Sequence, residues 1–199
     1  MRFLKKVAIV IILIMVAVLC VKSIARYCYP LKYSTYIAKY AKQYDLDPYF
    51  VMAVIKTESN FKENVRSNKN AIGLMQITPD TAEWAADKMG VSNFQDNMLN
   101  DPEFNVRMGC WYLNNLKSEF NNNMDLILAA YNGGRGNVQK WLKDSEHSKD
   151  GKNIQYIPFK ETDKYIKRVK VNYRVYRYLY KNLQINTSTI IVNFYNFKF

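Results

Sequence analysis

The sequence of 199 residues contains a single histidine, His147, and only three cysteines. One histidine cannot supply the two imidazoles of an HExxH zinc site, and a Ser-His or Cys-His pair would have to use His147, which lies in the polar stretch 143–152. The cysteines have no metal-like spacing. We therefore expect neither a metal ion nor a cofactor, and these absences direct any catalytic role to carboxylates, hydroxyls or amides.

The same three cysteines leave two redox states open. Cys20 lies in an apolar run, whereas Cys28 and Cys110 could form a disulfide if the protein is exported. The odd and small count favours free thiols instead.

Acidic residues are missing from the start of the chain, where none precedes Asp45. The net charge is +12, and beyond residue 26 there remain 24 basic residues against 17 acidic ones. Such an excess favours an anionic partner, which could be nucleic acid, anionic lipid or an acidic cell-wall polymer, although a solvated basic face explains it equally well. Because no motif that reads a nucleic-acid groove is present, we expect no nucleic-acid partner.

The first 29 residues are typical of a signal-anchor. Residues 7–21 are fifteen consecutive apolar residues that follow three basic ones. This run is shorter than the roughly 20 residues that span a bilayer, but Lys6 and Lys22 can extend their side chains to the interface. No small-residue cleavage site follows, so we predict an uncleaved transmembrane anchor. Lys22 and Arg26 leave its orientation open.

Residues 30–183 are predicted to form one mostly helical domain. Asp47-Pro48, Thr78-Pro79 and Asp101-Pro102 each combine an N-cap residue with a first-turn proline. Gly90 predicts a helix end, and Thr162 is expected to cap a last long helix. We expect 144–155 to be a loop, and the tail 184–199 is compatible with either disorder or an edge strand.

Glu58 is the candidate catalytic residue because it continues the apolar face that Val54 and Ile55 form on their helix. A carboxyl on a core-facing stripe is costly to ionise, so its pKa should rise from about 4.3 toward the ~6–7 that suits a general acid. Such an acid can protonate a glycosidic oxygen. The alternative is a solvated Glu at a helix end, paired with Lys62 or Arg66.

Further motifs follow Glu58 in a fixed order. They are Ala-Ile-Gly-Leu-Met-Gln at 71–76, a DP…N…G..YL helix at 101–113, Ala-Tyr-Asn-Gly-Gly at 130–134 and Pro-Phe-Lys-Glu-Thr-Asp-Lys-Tyr-Ile at 158–166. Together they closely resemble the SLT-type (family 23) catalytic domain of peptidoglycan lytic transglycosylases, over roughly residues 33–180. The resemblance implies a mostly α, lysozyme-like SLT domain behind the N-terminal transmembrane anchor.

The resemblance implies a single catalytic residue. Glu58 would protonate the oxygen between MurNAc and GlcNAc and then act as the base. Ser67 matches a serine that hydrogen-bonds near that carboxyl. In the strip 73–76, Gln76 would bind sugar polar groups with Met75 packed nearby, and Gly73 would let the backbone approach a bulky polysaccharide.

The later motifs add the rest of the implied groove. Tyr131 would reach toward the catalytic carboxyl, and Asn132 would contact substrate. Glu161 would bind sugar or order the groove, and Tyr165 would line it. The chain departs from the family pattern at Asn70, where glycine is usual, although Asn can also adopt the left-handed conformation.

These observations predict a membrane-anchored peptidoglycan lytic transglycosylase that cleaves the MurNAc–GlcNAc β-1,4 bond and leaves 1,6-anhydroMurNAc ends. The alternatives are a hydrolytic muramidase and a non-catalytic wall-binding or assembly module. The expected partners are glycan strands of peptidoglycan and the bacterial cell membrane, with the catalytic domain on the extracytoplasmic side. The sequence indicates no protein partner.

Overall fold

The computed structural model describes residues 2–181. Within that range the chain is mostly helical, and the extended structure is limited to isolated bridges that join Ile72 to Arg66 and to Ile77. The helices are α1 (Arg2–Cys28), α2 (Ser34–Gln43), α3 (Pro48–Glu58), α4 (Pro79–Met89), α5 (Pro102–Glu119), α6 (Met124–Gly133), α7 (Arg135–Lys143) and α8 (Lys160–Tyr180), with a short 3-10 helix at Asp96–Asn100. The predicted tail 184–199 lies outside the described residues.

Helix α1 contains the predicted apolar run and extends it in both directions. Its residues 3–27 are almost entirely exposed. Of the helices that the structure describes, it is the one long and apolar enough to cross a membrane. The length and composition of α1 are therefore compatible with the predicted signal-anchor.

The predicted helix boundaries follow from local chemistry. Asp47, Thr78 and Asp101 each accept a hydrogen bond from a backbone N–H two or three residues later, and each precedes a proline in the first turn. Gly90 ends α4 with φ 67°, a left-handed conformation that glycine adopts without strain. All three predicted starts and this end are confirmed.

Two predictions about the second half of the domain need correction. Thr162 does not cap α8, because the N-cap position is Phe159 and Thr162 is buried in the first turn. Helix α7 was not predicted, since its sequence is mainly polar and only Val138 and Trp141 are buried. The stretch 144–155 is irregular, as expected.

Helix α3 is the centre of the core. Every residue from Phe50 to Ile55 is buried, because α8 packs along one side of α3 and α2 along another. Helix α6 contacts α5, α7 and α8. This arrangement places the last residue of α3, Glu58, next to the face of α8 that carries Tyr165.

The cysteines are all free. Cys110 is fully buried in α5, whereas Cys20 and Cys28 are exposed on α1. No Cys28–Cys110 disulfide joins these residues in the described structure.

Candidate active site

Glu58 ends α3 as a partly buried carboxyl near the buried Tyr165. Burial raises the pKa of Glu58 to about 7, which the nearby Tyr165 hydroxyl and the Arg168 guanidinium lower in part and the Glu161 charge raises. Within residues 2–181, no ion pair joins Glu58 to Lys62 or Arg66. The arrangement thus favours an uncharged, proton-donating carboxyl near neutral pH over a solvated helix-end glutamate.

Tyr165 is the tyrosine that faces this carboxyl. Its side chain is buried, and its hydroxyl lies close enough to lower the pKa of Glu58. Within the described residues, that hydroxyl makes no hydrogen bond of ordinary geometry. A buried donor without a firm partner is costly, which makes the Tyr165 hydroxyl available to the carboxyl or to a bound sugar.

Tyr131 lies near Glu58 but makes its hydrogen bond elsewhere. Its hydroxyl donates a hydrogen bond to the Met75 carbonyl at 2.7 Å instead of to Glu58, and its ring packs against Tyr112 with centroids 5.4 Å apart. The Glu58 charge still raises the pKa of Tyr131, so the two groups are near each other. Tyr131 therefore fixes the backbone that borders the site.

Asn105 attaches that same backbone to α5. This fully buried side chain accepts from the Met75 N–H at 2.8 Å and donates to the carbonyls of Ile72 and Leu99, both at 2.9 Å. Gly73 lies against it with φ 78°, and a Cβ at Gly73 would stand 2.3 Å from the Asn105 Nδ2. The approach of Asn105 and Leu99 thus by itself requires a glycine at this position.

Met75 does not line a groove. It is fully buried, and its sulfur packs so closely against Gly109 that a Cβ at that glycine would clash with it. The expected place of Met75 among substrate contacts is therefore wrong, because the close packing of α5 against 71–77 draws its side chain into the core.

Gln76 is partly exposed and keeps one polar atom for a ligand. Its amide nitrogen donates to the carbonyls of Val65 at 3.0 Å and Gly73 at 2.9 Å. Those bonds orient the side chain and leave the Oε1 oxygen as an acceptor. Gln76 is thus positioned to receive a hydrogen bond from a hydroxyl.

Ser67 stabilises a turn. Its hydroxyl accepts from the N–H groups of Lys69 and Ala71, at 3.2 and 3.1 Å, and none of its hydrogen bonds in the described structure reaches Glu58. The expected bond near the catalytic carboxyl is therefore not made. Asn70 in this turn has φ 59°, so the left-handed conformation expected there is confirmed.

Asn132 is oriented from α8. Its Oδ1 accepts from the Thr162 hydroxyl at 2.9 Å, which leaves the Nδ2 group as a donor beside the site. A Cβ at Gly133 would contact the same hydroxyl at 3.0 Å. Thr162 thereby joins the α6 end to the α8 start.

Glu161 lies at the exposed rim. Its carboxylate faces Lys69 across 3.8 Å, and both side chains are largely exposed. In solvent such a pair contributes little stability, so Glu161 remains free to exchange Lys69 for a sugar hydroxyl. No cluster of three or more metal-binding side chains occurs in the described part of the chain.

The interpretation of the sequence missed the supporting residues Asn105, Thr162 and Arg168. Asn105 offered a signal, since it is the Asn of the DP…N…G..YL motif, but no role was assigned to it. Thr162 was noticed but assigned to the helix cap. Arg168 offered no signal among the many basic residues of α8.

Residues 35–154 match the family model described as the transglycosylase SLT domain. The soluble lytic murein transglycosylase of Escherichia coli is 34% identical over 152 residues, which are 75% of this chain and 24% of that protein. The membrane-bound lytic murein transglycosylase C of Actinobacillus succinogenes is 33% identical over 122 residues, 57% of this chain and 34% of that protein. This chain thus spans about a quarter to a third of the length of these relatives.

A solved structure has the same fold. The 70 kDa soluble lytic transglycosylase of Escherichia coli matches with a TM-score of 0.69 and 32% sequence identity, over 77% of this chain and 25% of that one. The predicted mostly α, lysozyme-like SLT fold is thereby confirmed.

Proposed function

The chain belongs to the transglycosylase SLT family, and from that premise we propose that it is a membrane-anchored lytic transglycosylase of peptidoglycan. The observation that carries the proposal is the partly buried Glu58, whose pKa of about 7 leaves it able both to give and to accept a proton near neutral pH. The bond cleaved is the β-1,4 bond between MurNAc and GlcNAc.

Glu58 serves as acid and then as base. In the first step its proton moves to the glycosidic oxygen as the bond from that oxygen to C1 of MurNAc breaks. In the second step the Glu58 carboxylate takes the proton of the MurNAc C6 hydroxyl, whose oxygen attacks C1. The product is a 1,6-anhydro sugar, Glu58 regains its proton, and no water is consumed.

The surrounding residues divide into substrate contacts and supports. The Gln76 Oε1, the Asn132 Nδ2 and the Glu161 carboxylate offer hydrogen bonds to sugar hydroxyls. Tyr165 lowers the pKa of the Glu58 carboxyl. Ser67, Gly73, Met75 and Tyr131 contribute indirectly, by shaping the backbone between α3 and α4.

Helix α1 is proposed as the anchor. Its length and hydropathy suit a bilayer, and one of the relatives is named membrane-bound. Since peptidoglycan lies outside the cell membrane, the catalytic domain is placed on the extracytoplasmic side.

The mass of released fragments tests the activity. The 199-residue chain in detergent is incubated with purified peptidoglycan, and the soluble muropeptides are analysed by mass spectrometry. We expect 1,6-anhydroMurNAc ends, which are lighter than reducing ends by one water. Reducing MurNAc ends would identify a muramidase, and failure to release any fragment would identify a wall-binding module.

The pH profile provides a first prediction. Because the first step needs protonated Glu58, whose pKa is about 7, kcat/KM should be independent of this group below pH 7. Above pH 7 it should fall by about tenfold per pH unit. Initial rates of fragment release between acidic and alkaline pH measure this, and an undiminished rate well above pH 8 would contradict it.

Tyr165→Phe provides a second prediction. The Tyr165 hydroxyl lowers the pKa of Glu58, so its removal should raise that pKa and move the falling limb of the profile to higher pH. The hydroxyl has no firm partner, so the free energy of unfolding should change by less than about 1 kcal/mol. Tyr178→Phe, on the exposed face of the same helix, should leave the profile in place, and an unmoved limb in Tyr165→Phe would refute the assigned role.

A further inference from the structure

The end of α1 is fixed to the folded domain by several contacts. The Tyr29 hydroxyl donates to Asn172 at 3.1 Å, and the Tyr180 hydroxyl donates to the Tyr29 carbonyl at 2.6 Å. Lys56 donates to the Cys28 carbonyl at 2.7 Å. Helix α1 therefore leaves the domain at one defined place, between the end of α3 and the second half of α8.

This junction lies close to the end of the apolar run. Tyr29 follows Val21 by eight residues, which is roughly 12 Å of helix. The headgroup layer outside the hydrocarbon is about 5–8 Å thick. If α1 spans the membrane as proposed above, the domain surface around Tyr29 is therefore within about one Debye length, ~8 Å, of the headgroups.

The surface at this junction is strongly basic. Between Lys164 and Lys181 the sequence contains seven basic residues and no acidic one. The side chains on the outer side of the helix recur at three- and four-residue spacing and are all exposed. We call this surface the α8 basic face; it consists of Lys164, Lys167, Arg168, Val171, Arg174 and Tyr178.

The α8 basic face continues directly to the root of α1. A concavity of about 340 Å³ joins them, lined by residues of both α3 and α8. Lys56 and Asn172, which hold Cys28 and Tyr29, form one side of it, and Lys167 and Arg168 form another. None of the described residues that line this concavity is acidic.

The face combines unneutralised charge with apolar surface. Lys167 is paired with Asp163, but no ion pair with a carboxylate in the described structure involves Lys164, Arg168 or Arg174. Val171 is 50% and Tyr178 67% exposed. Basic side chains interleaved with exposed apolar and tyrosine side chains suit the headgroup region of an anionic bilayer.

We propose that the α8 basic face is a second membrane contact, which binds the anionic phospholipid headgroups of the leaflet that α1 enters. This inference rests on the proposed membrane anchor. Glu58 follows Lys56 by two residues on α3. The contact would therefore hold the catalytic carboxyl at a fixed, short distance from the bilayer surface. From there Glu58 would act on glycan close to the membrane.

Fluorescence quenching in vesicles tests the proposal with the full chain. Cys20 and Cys28 are replaced by Ser, Cys110 is buried, and Tyr178→Cys carries an environment-sensitive fluorophore. The vesicles are phosphatidylcholine alone or mixed with phosphatidylglycerol, with a trace of headgroup-nitroxide lipid. We expect at least about twofold stronger quenching with phosphatidylglycerol, declining as salt is raised. A fluorophore at Lys88→Cys, on α4, should not respond.

Charge variants separate a specific face from general basicity. Replacing Lys164, Lys167 and Arg174 together by Gln should abolish the increase in fluorescence quenching that phosphatidylglycerol causes. The matched control replaces three exposed lysines of α7 and the following loop by Gln, which removes the same charge, and it should retain the increase. Those lysines are Lys140, Lys143 and Lys149.

Each other outcome is informative. Equal quenching in both lipids, or equal loss in both charge variants, would overturn the proposal. Equal quenching together with charge-dependent binding of soluble polyglycerol phosphate would assign the face to a wall polymer and would likewise overturn it. A chain that does not float with the vesicles would instead refute the anchor, and absence of glycan cleavage would refute only the activity.

Discussion

Replacing Glu58 by Gln is expected to slow glycan cleavage by about 10³-fold or more, because both proposed proton transfers pass through this carboxyl. Gln has nearly the same shape but can neither donate an acidic proton nor accept one. In the described structure, Glu161 is the one other carboxylate whose charge shifts the Glu58 pKa, and it is exposed beside Lys69. We therefore expect no substitute for Glu58.

The same substitution should stabilise the folded protein at neutral and alkaline pH. The folded state keeps its Glu58 proton up to pH about 7, whereas the unfolded chain loses it near pH 4.5. The folded state thus binds more protons in this window, and its stability falls as pH rises through it. Glu58→Gln removes that penalty. The variant's free energy of unfolding should therefore exceed that of the wild type by little at pH 4 and by about 3 kcal/mol above pH 7.

Two measurements check this prediction together. Muropeptide release gives the activity, and urea unfolding followed by tryptophan fluorescence gives the stability at each pH. Glu83→Gln, an exposed carboxyl on α4, is the matched control and should change neither. Glycan cleavage at wild-type rate in folded Glu58→Gln would refute the catalytic assignment. A difference in the free energy of unfolding that does not change with pH would refute the raised pKa.

The sequence was most informative where local chemistry determines structure. An N-cap side chain bonds to its own following turn, so Asp47, Thr78 and Asp101 predict helix starts without knowledge of the tertiary fold. The place of Glu58 followed from helical spacing in the same way. Its partners come from α8, more than a hundred residues later, and spacing within α3 cannot identify them.

The site predictions that differ from the structure do so because of contacts that helical spacing does not reveal. Ser67 was expected near the carboxyl but stabilises its own turn, and Tyr131 lies near Glu58 but donates its hydroxyl to the Met75 carbonyl. Both side chains bind a backbone group, whereas Met75 is drawn into the core by the packing of α5. Buried backbone donors and acceptors must be satisfied, and the sequence does not show which side chain does so.

Asn105 illustrates how far support for the site extends from the chemistry. It contacts neither Glu58 nor the rim, yet it binds backbone groups of Ile72, Met75 and Leu99. Through Met75 it also holds the carbonyl that receives the Tyr131 hydroxyl. The segment 71–77 between α3 and α4 is therefore held by both Asn105 and Tyr131, which keeps the Gln76 side chain in place for a ligand.

Asn105→Ala should accordingly be the most destabilising substitution considered. It leaves the Met75 N–H and the Leu99 carbonyl without a partner in a buried region, whereas the Ile72 carbonyl keeps the Ile77 N–H at 3.1 Å. Since each unsatisfied buried group costs about 1–3 kcal/mol, the expected loss is about 2–5 kcal/mol. Loosening of Gln76 should reduce the remaining activity as well.

Urea unfolding of the full chain in detergent measures this loss. Trp84, Trp111 and Trp141 are the three tryptophans of the chain and all lie outside α1, so their fluorescence reports on the folded domain. Asn114→Ala on the same helix is the matched control, since its side chain makes no hydrogen bond within residues 2–181, and it should change stability by no more than about 0.5 kcal/mol. Equal stability of the two variants would show that Asn105 does not hold the 71–77 segment, because two buried backbone groups cannot lose their partner without cost.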